Sequence, residues 1–357
     1  MTSLLDNRLP PALPGSDIDG YGVSPVDPHR HSMGYGRLIE YLRIKVHHLV
    51  DERDWAGIVV LGRYDRTSVV SSREKNDKLF NWERPTARVD GARLVIECFP
   101  GRDYVLHYAL LIATYLTMTG RYRGQVSYVP PEPEDCQAAV ATLGGSFEHT
   151  DLVVVGWGLT HLCPTATWIP GRGHRLHQVD VEGRRVAYLG YQHSIWGDVA
   201  GRVVTRLAEL GARRVVYLGK VGSLDPAVEP NTHLATGSRS VLVDGEVTWP
   251  DVFAGLHHAG GRVITGTHVT SPSILLEGQD WVARHRGRHF VDPEIGHMGR
   301  AARDAGIEFG YLHVISNNLT RAYPADLSNE RLASVVQRRA ALLTQIDAIL
   351  RARLRQL

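Results

Sequence analysis

Apolar residues fall into short continuous runs separated by stretches of helical spacing. In "GRLIEYLRIKVHHLVDERDW", Leu38, Leu42 and Leu49 recur at helical spacing, so a helix is expected before the strand "GIVVLG" (57–62). A second strand, "ARLVIECF" (92–99), precedes an apolar helix over 103–119, then a strand "GQVSYVP" and a helix "PEDCQAAVATLGG". Strands and helices in alternation pack as α/β layers.

The same alternation continues from residue 151. "DLVVVGWG" is an apolar run ending in a glycine turn, and "RRVAYLGYQHSIWG" is a strand running into a glycine-bracketed loop that presents Gln192, His193 and Ser194. Asp198 is placed to cap the helix "VAGRVVTRLAEL", whose Val203, Leu207 and Leu210 share one face, and Gly211 to end it. "RRVVYLG" (213–219) follows as another buried strand. Ligands bind at the carboxyl ends of strands in such βαβ-type units, which puts His193 and Lys220 on one expected rim. Beyond it, "GRVITGTHVTSPS" supplies a strand and a polar loop, a helix over 294–305 stops at Gly306, and a strand ends at Ser316, Asn317 and Asn318. The C-terminal segment carries a broad apolar stripe, as a long amphipathic helix packed on the sheet would.

The expected organisation is an irregular arm over 1–35, rich in Pro, Gly, Asp and His, a small α/β domain over 36–150, and a larger α/β domain over 151–357. Charge and composition narrow the function classes. A net charge of +2 with acidic and basic residues intermixed leaves no footprint for nucleic acid or an anionic membrane. The most apolar stretch, "YVLHYALLIATYLTMT" (104–119), falls short of the roughly 20 residues a membrane span needs, and reads as a buried helix. The start of the chain lacks the pattern of a secretory signal, and Cys98, Cys136 and Cys163 suit neither a disulfide framework nor a cysteine metal site, so the cytoplasm is the expected location. His29 and His31, His47 and His48, and His257 and His258 lack zinc-site spacing and read as structural or solvated; neither metal nor cofactor is expected.

Four motifs, in order, carry a resemblance. "GYQHSIWG", "LGKVGSLDPAVEPN", "VDPEIGHMGRAARDAG" and the strand-end "SNN" resemble, over residues 151 to about 350, the nucleoside phosphorylase and nucleosidase superfamily. That resemblance implies a mixed twisted sheet flanked by helices, action at the bond between a ribosyl C1 and a base nitrogen, and an oligomer, a trimer or hexamer. It places Glu294 on the two sugar hydroxyls, with Asp292 two residues before it, and Asn317 on the base beside Ser316. Ser273 lies in a substrate-side loop, and the base-reading glutamate of the 6-oxopurine group falls on Leu275.

The phosphate shell departs from the family pattern. Trp157 stands where phosphorylases place a hydroxyl residue, Tyr191 at the phosphate-binding arginine and Gly219 at a threonine, leaving His193. Loss of an arginine and two hydroxyl donors removes most charge-assisted bonds to a phosphate dianion, so orthodox phosphorolysis is not expected. Lys220 is a candidate for holding an anionic group or acting as nucleophile or base. The chemistry expected is therefore that of a nucleosidase or a ribosyl transferase, on a small nucleoside-like substrate. The alternatives are a catalytically inactive nucleoside-binding or scaffold protein, a true phosphorylase with an altered phosphate site, and chemistry housed in the N-terminal domain, whose charged run over 63–77 could reach across the cleft.

Overall fold

A computed structural model describes residues 20–73, 84–256, 262–323 and 332–357. The N-terminal unit runs β1 (Tyr21–Gly22), α1 (Tyr35–Lys45), β2 (Gly57–Leu61), β3 (Val69–Val70), β4 (Thr86–Asp90), β5 (Arg93–Glu97), α2 (Arg102–Met118), β6 (Val126–Val129) and α3 (Pro133–Val140). Its six strands lie in the order β1-β6-β2-β5-β4-β3, with β6, β2 and β5 parallel and the outer strands antiparallel. The apolar helix is α2, and its want of a polar face has a structural cause. Twelve of its 17 residues are buried, because it packs against β2 and β6 on one side and α1 and the 274–276 turn on others. No helix among the described residues is long and apolar enough to cross a membrane.

The C-terminal unit follows with β7 (Leu152–Gly156), α4 (Leu159–Leu162), β8 (Ile169–Pro170), β9 (His174–Val181), β10 (Arg184–Tyr191), α5 (Asp198–Glu209), β11 (Arg214–Ser223) and β12 (Leu234–Thr236). It continues with β13 (Arg239–Leu242), β14 (Gly245–Thr248), β15 (Val263–Thr265), β16 (His268–Thr270), α6 (Gln279–Arg284), β17 (Phe290–Asp292), α7 (Ile295–Ala305), β18 (Glu308–Asn318) and α8 (Ala333–Leu354). The architecture is thus the expected one, a mixed sheet flanked by helices with a smaller α/β unit before it. β10, β7, β11 and β18 are parallel neighbours, so the loops after them gather at one end of the sheet. Strand β11 outruns β7, and past a register shift at Val221/Gly222 its last residues pair antiparallel with β17. That extension brings Asp292, at the end of β17, beside the ends of the parallel strands.

Three local expectations need correction. The arm described from residue 20 is not purely irregular: Tyr21 and Gly22 add a strand to the N-terminal sheet. Its next residues dock on the C-terminal unit of the same chain, where Ser32 N–H donates to the Glu277 carbonyl and Arg30 pairs with Asp280. Asp198 does not cap α5. The helix starts at Asp198 itself after Gly197, and the Asp198 carboxylate accepts from Asp103 N–H, 3.3 Å away in the other unit. Finally, the division near 150 separates two sheets but not two cores, since one hydrophobic cluster joins Leu38, Ile96 and Leu111 to Val153, Leu189, Tyr217 and Ile315. Residues 1–19, 74–83, which include the end of the charged run, and His257 with His258 lie outside the described residues.

Candidate functional site

The end of β17 and the start of α7 hold a buried cluster of acids and histidines. Asp292 Oδ1 accepts the N–H groups of Glu294 (2.8 Å) and Ile295 (2.9 Å), which satisfies two of the donors that α7 leaves unpaired at its N-terminus. The same carboxylate lies between two histidines, with His268 Nε2 at 3.1 Å from Oδ1 and His313 Nδ1 at 3.3 Å from Oδ2. Behind His268, Ser240 Oγ is 2.9 Å from Nδ1 and 2.9 Å from Thr270 Oγ1, which accepts from Gly296 N–H. Burial opposes a charge on Asp292, but His268 and His313 outweigh it and hold the carboxyl below the usual carboxylate range. His313, deep in the sheet, is pushed down by burial despite Asp292.

Glu294 sits at the cap position just before α7, buried, and its carboxyl makes no hydrogen bond among the described residues. Burial raises it well above the ordinary glutamate value, and the charges of Asp292 and Asp103 add to that. The Tyr217 phenol, on the inward face of β11, is raised by burial and then by Glu294 and Asp292. A third acid, Glu277, lies two residues after Leu275, raised well above its ordinary value by burial and then by Asp292. The cluster therefore combines one carboxyl held below its ordinary range by two histidines with two carboxyls raised by burial and by the first one's charge.

The remaining sequence-chosen residues divide between the two faces of the sheet. Successive strand residues point to opposite faces. On β11, Tyr217 faces the Asp292 side, and a Cβ on Gly219 would come within 2.8 Å of His313 Nε2, so Gly219 faces that side as well. Lys220 consequently points the other way, with its Nζ 5.4 Å above the ring centre of Trp157, which packs on the cluster around α8. His193 lies on the inward side, stacked on Phe99 of the N-terminal unit at 4.6 Å and edge-on to the buried Tyr191 at 5.2 Å. His193 and Lys220, expected on one rim, therefore turn to opposite faces of the sheet.

Ser273 is fully buried and committed: its hydroxyl is 2.8 Å from His107 Nδ1 of α2 and accepts from Leu275 N–H. Ser194 is buried, and Gln192 is tied through its N–H to the Gly173 carbonyl. Asn317 is half-buried at the end of β18, its Oδ1 accepting from Ser316 Oγ at 3.2 Å, whereas Asn318 spends its amide on the carbonyls of Asp225 and Val228. Sequence reasoning missed His268, His313, Ser240, Glu277, Tyr217 and the contributions of Phe99 and Asp103. A signal existed for His313, set in the otherwise apolar core of β18 where a buried ring needs a partner; His268, in the polar run "THVTS", carries none.

Among the described residues no three His, Cys, Asp or Glu side chains are grouped to hold a metal ion. Two surface depressions, lined by Glu148, His149 and Arg213 and by Arg43, Arg73 and Tyr115, share no residue with the buried cluster.

No protein-family model matches the chain. A curated relative, the oxidoreductase cns1 of Cordyceps militaris, is 27% identical over 259 residues, covering 64% of this chain and 33% of that protein. The chain thus spans about a third of that relative's length. Among solved structures, the chain is similar to the 5'-methylthioadenosine/S-adenosylhomocysteine nucleosidase of Campylobacter jejuni (11% identity, TM-score 0.46, 58% of this chain and 100% of that one). It is also similar to the S-adenosylhomocysteine nucleosidase of Streptococcus pyogenes (15%, 0.46, 60% and 99%) and to a Schistosoma purine nucleoside phosphorylase (12%, 0.46, 63% and 98%). At such identities these are likenesses of fold alone.

Proposed function

We propose that this chain cleaves the N-glycosidic bond of a nucleoside-like ribosyl compound, by hydrolysis or by transfer to an acceptor other than phosphate. The observation that carries the reading is Glu294, a buried carboxyl at a helix start with no hydrogen-bond partner among the described residues. Such a group loses hydration on folding, and a ligand diol would restore its hydrogen bonds. Its position in "VDPEIGHMGRAARDAG" is that of the sugar-binding glutamate of the superfamily the motifs resemble. In the hydrolytic case the water oxygen joins C1, the base nitrogen takes the electron pair of the broken bond, and a proton goes to the base. Asn317, at the strand end, is the group proposed to meet the base, since an amide both donates and accepts.

The acceptor side supports an agent other than phosphate. Tyr191 is buried where the family arginine would stand, and Gly219 has no space for a hydroxyl-bearing side chain beneath His313. His193 is the remaining candidate for holding the attacking group, and Lys220 with Trp157 shapes the opposite face. The test is chromatography of free base released from adenosine, inosine, guanosine and uridine and their 5'-phosphates, each with and without inorganic phosphate. Release independent of phosphate and lost in Glu294→Gln is the expected result. Release only with phosphate would overturn the reading of Tyr191 and Gly219; absence of both release and calorimetric binding would overturn the function itself.

A further inference from the structure

The N-termini of three helices meet at one point, and two belong to different sheets. Asp103, the second residue of α2, accepts through Oδ2 from Asp198 N–H at 3.2 Å, while Asp198 Oδ1 accepts from Asp103 N–H at 3.3 Å. His297, in the first turn of α7, brings Nε2 to 3.0 Å from the same Asp103 oxygen. The approach is close enough to dictate backbone chemistry. Gly197 holds a left-handed φ of 58°, and a Cβ there would lie 2.4 Å from the Asp103 Cβ.

We infer that the N-terminal unit is a working part of the Glu294 site, and that Asp103 is its contribution, a positioning carboxylate held against α7 that sets the charge of the sugar end. This rests on the reading of Glu294 as the sugar-binding carboxyl. Helix capping accounts for part of the arrangement, since Asp103 and Asp198 cap each other's helices and Asp292 caps α7. It does not account for a further acid at the same place. Asp198 turns its second oxygen to Arg202 one turn along α5, at 3.7 Å, whereas Glu294 is a buried carboxyl that caps no helix. Asp103, Asp198 and His297 each retain about a fifth to a quarter of their side-chain exposure, so solvent reaches the group at its rim while Glu294 is buried.

The charges acting on Glu294 are those of Asp292 from β17 and Asp103 from α2, and its own charge is felt by the Tyr217 phenol of β11; Asp103 in turn meets His297 of α7, which also feels Asp244, and Asp198 of α5, which pairs with Arg202. Removing the Asp103 charge makes Glu294 easier to ionise. Its titration then moves to lower pH, and so does whichever limb of a pH–rate profile it governs. A purely structural docking role would weaken the fold and leave that limb in place.

The experiment uses the full chain carrying 13C at glutamate carboxyls, with the Glu294 resonance identified by its loss in Glu294→Gln. Its midpoint is compared in wild type, Asp103→Asn, Asp103→Ser and, as a remote control, Asp90→Asn, which breaks the exposed pair with Arg88 in the N-terminal sheet. Should Asp103→Asn fail to fold, His297→Gln loosens the carboxylate without removing it. The expected result is a downward shift in both Asp103 variants and none in the control, matched by the kcat/KM profile for whichever nucleoside of the panel is cleaved. An unmoved midpoint with cleavage intact overturns the inference and leaves the proposed function standing. A moved midpoint in a chain that neither cleaves nor binds any of the nucleosides upholds the coupling and overturns the function.

Discussion

Gly219→Ala tests whether a side chain at position 219 is excluded by geometry. An ideal Cβ at 219 would lie 2.8 Å from His313 Nε2 and 2.9 Å from Cε1, where ordinary contact begins at 3.4 Å. The ring has little room to yield. It is fully buried, with Tyr217 at 4.8 Å, Tyr311 at 5.3 Å and Asp292 on its Nδ1 side. Overpacking of this kind costs about 1–3 kcal/mol, and threonine, with two more heavy atoms, falls at or beyond the upper end. Urea denaturation gives the loss as a lowered midpoint at unchanged slope. His313→Ala alone is expected to cost about 3–5 kcal/mol, because it takes one partner from the buried Asp292. In that background the space beside residue 219 is vacated, so adding Gly219→Ala should cost little. A Gly219→Ala variant as stable as the parent would refute the argument, and so would an equal loss in both backgrounds.

Two further outcomes concern the acids. Glu294 is raised in the folded chain, so between its unfolded and folded values the native state holds the extra proton and stability falls as pH rises. Glu294→Gln removes that dependence: it should melt higher than wild type at pH 8, the gain shrinking toward pH 4, and thermal scans showing a constant difference across that range would contradict it. Asp292 has the opposite sign, its depressed value giving stability that is complete above the unfolded carboxylate value and lost as pH falls through the folded one. Asp292→Asn keeps an acceptor for Glu294 and Ile295 N–H but abandons two histidines, an expected cost of about 3–5 kcal/mol at pH 7. Asp292→Ala should lose about 1 kcal/mol more with the cap, and equal denaturation midpoints for the two variants would argue against the capping role.

The elements legible in the sequence are those whose signal is local. α2, α5, α7 and the core of β11 fall within a few residues of their expected bounds because periodicity and Gly211 and Gly306 mark them. β9, "HRLHQVDV", carries too many polar residues to read as a strand, and it exists because each residue from His174 to Val181 pairs across to β10. The site divides along the same line. Glu294 and His193 are visible in their motifs, but the acids that add to the rise of Glu294 come from residues 292 and 103, and no local pattern joins them.

One feature of the site could have been read from strand parity alone. If Tyr217 is buried on the inner face of β11, Gly219 shares that face and Lys220 cannot, so adjacency in sequence does not bring the lysine to the glycine's side of the sheet. The same parity on β18 puts Tyr311, His313 and Ile315 on one side, which makes His313 an inward histidine in the otherwise apolar stretch between Glu308 and Ser316. A buried imidazole at that point requires a polar partner, and Asp292 is the residue that meets the need. The glycine at 219 then follows from the histidine at 313: where a ring fills the inner face opposite β11, a larger side chain at 219 has no space, and packing fixes the residue before charge enters the question.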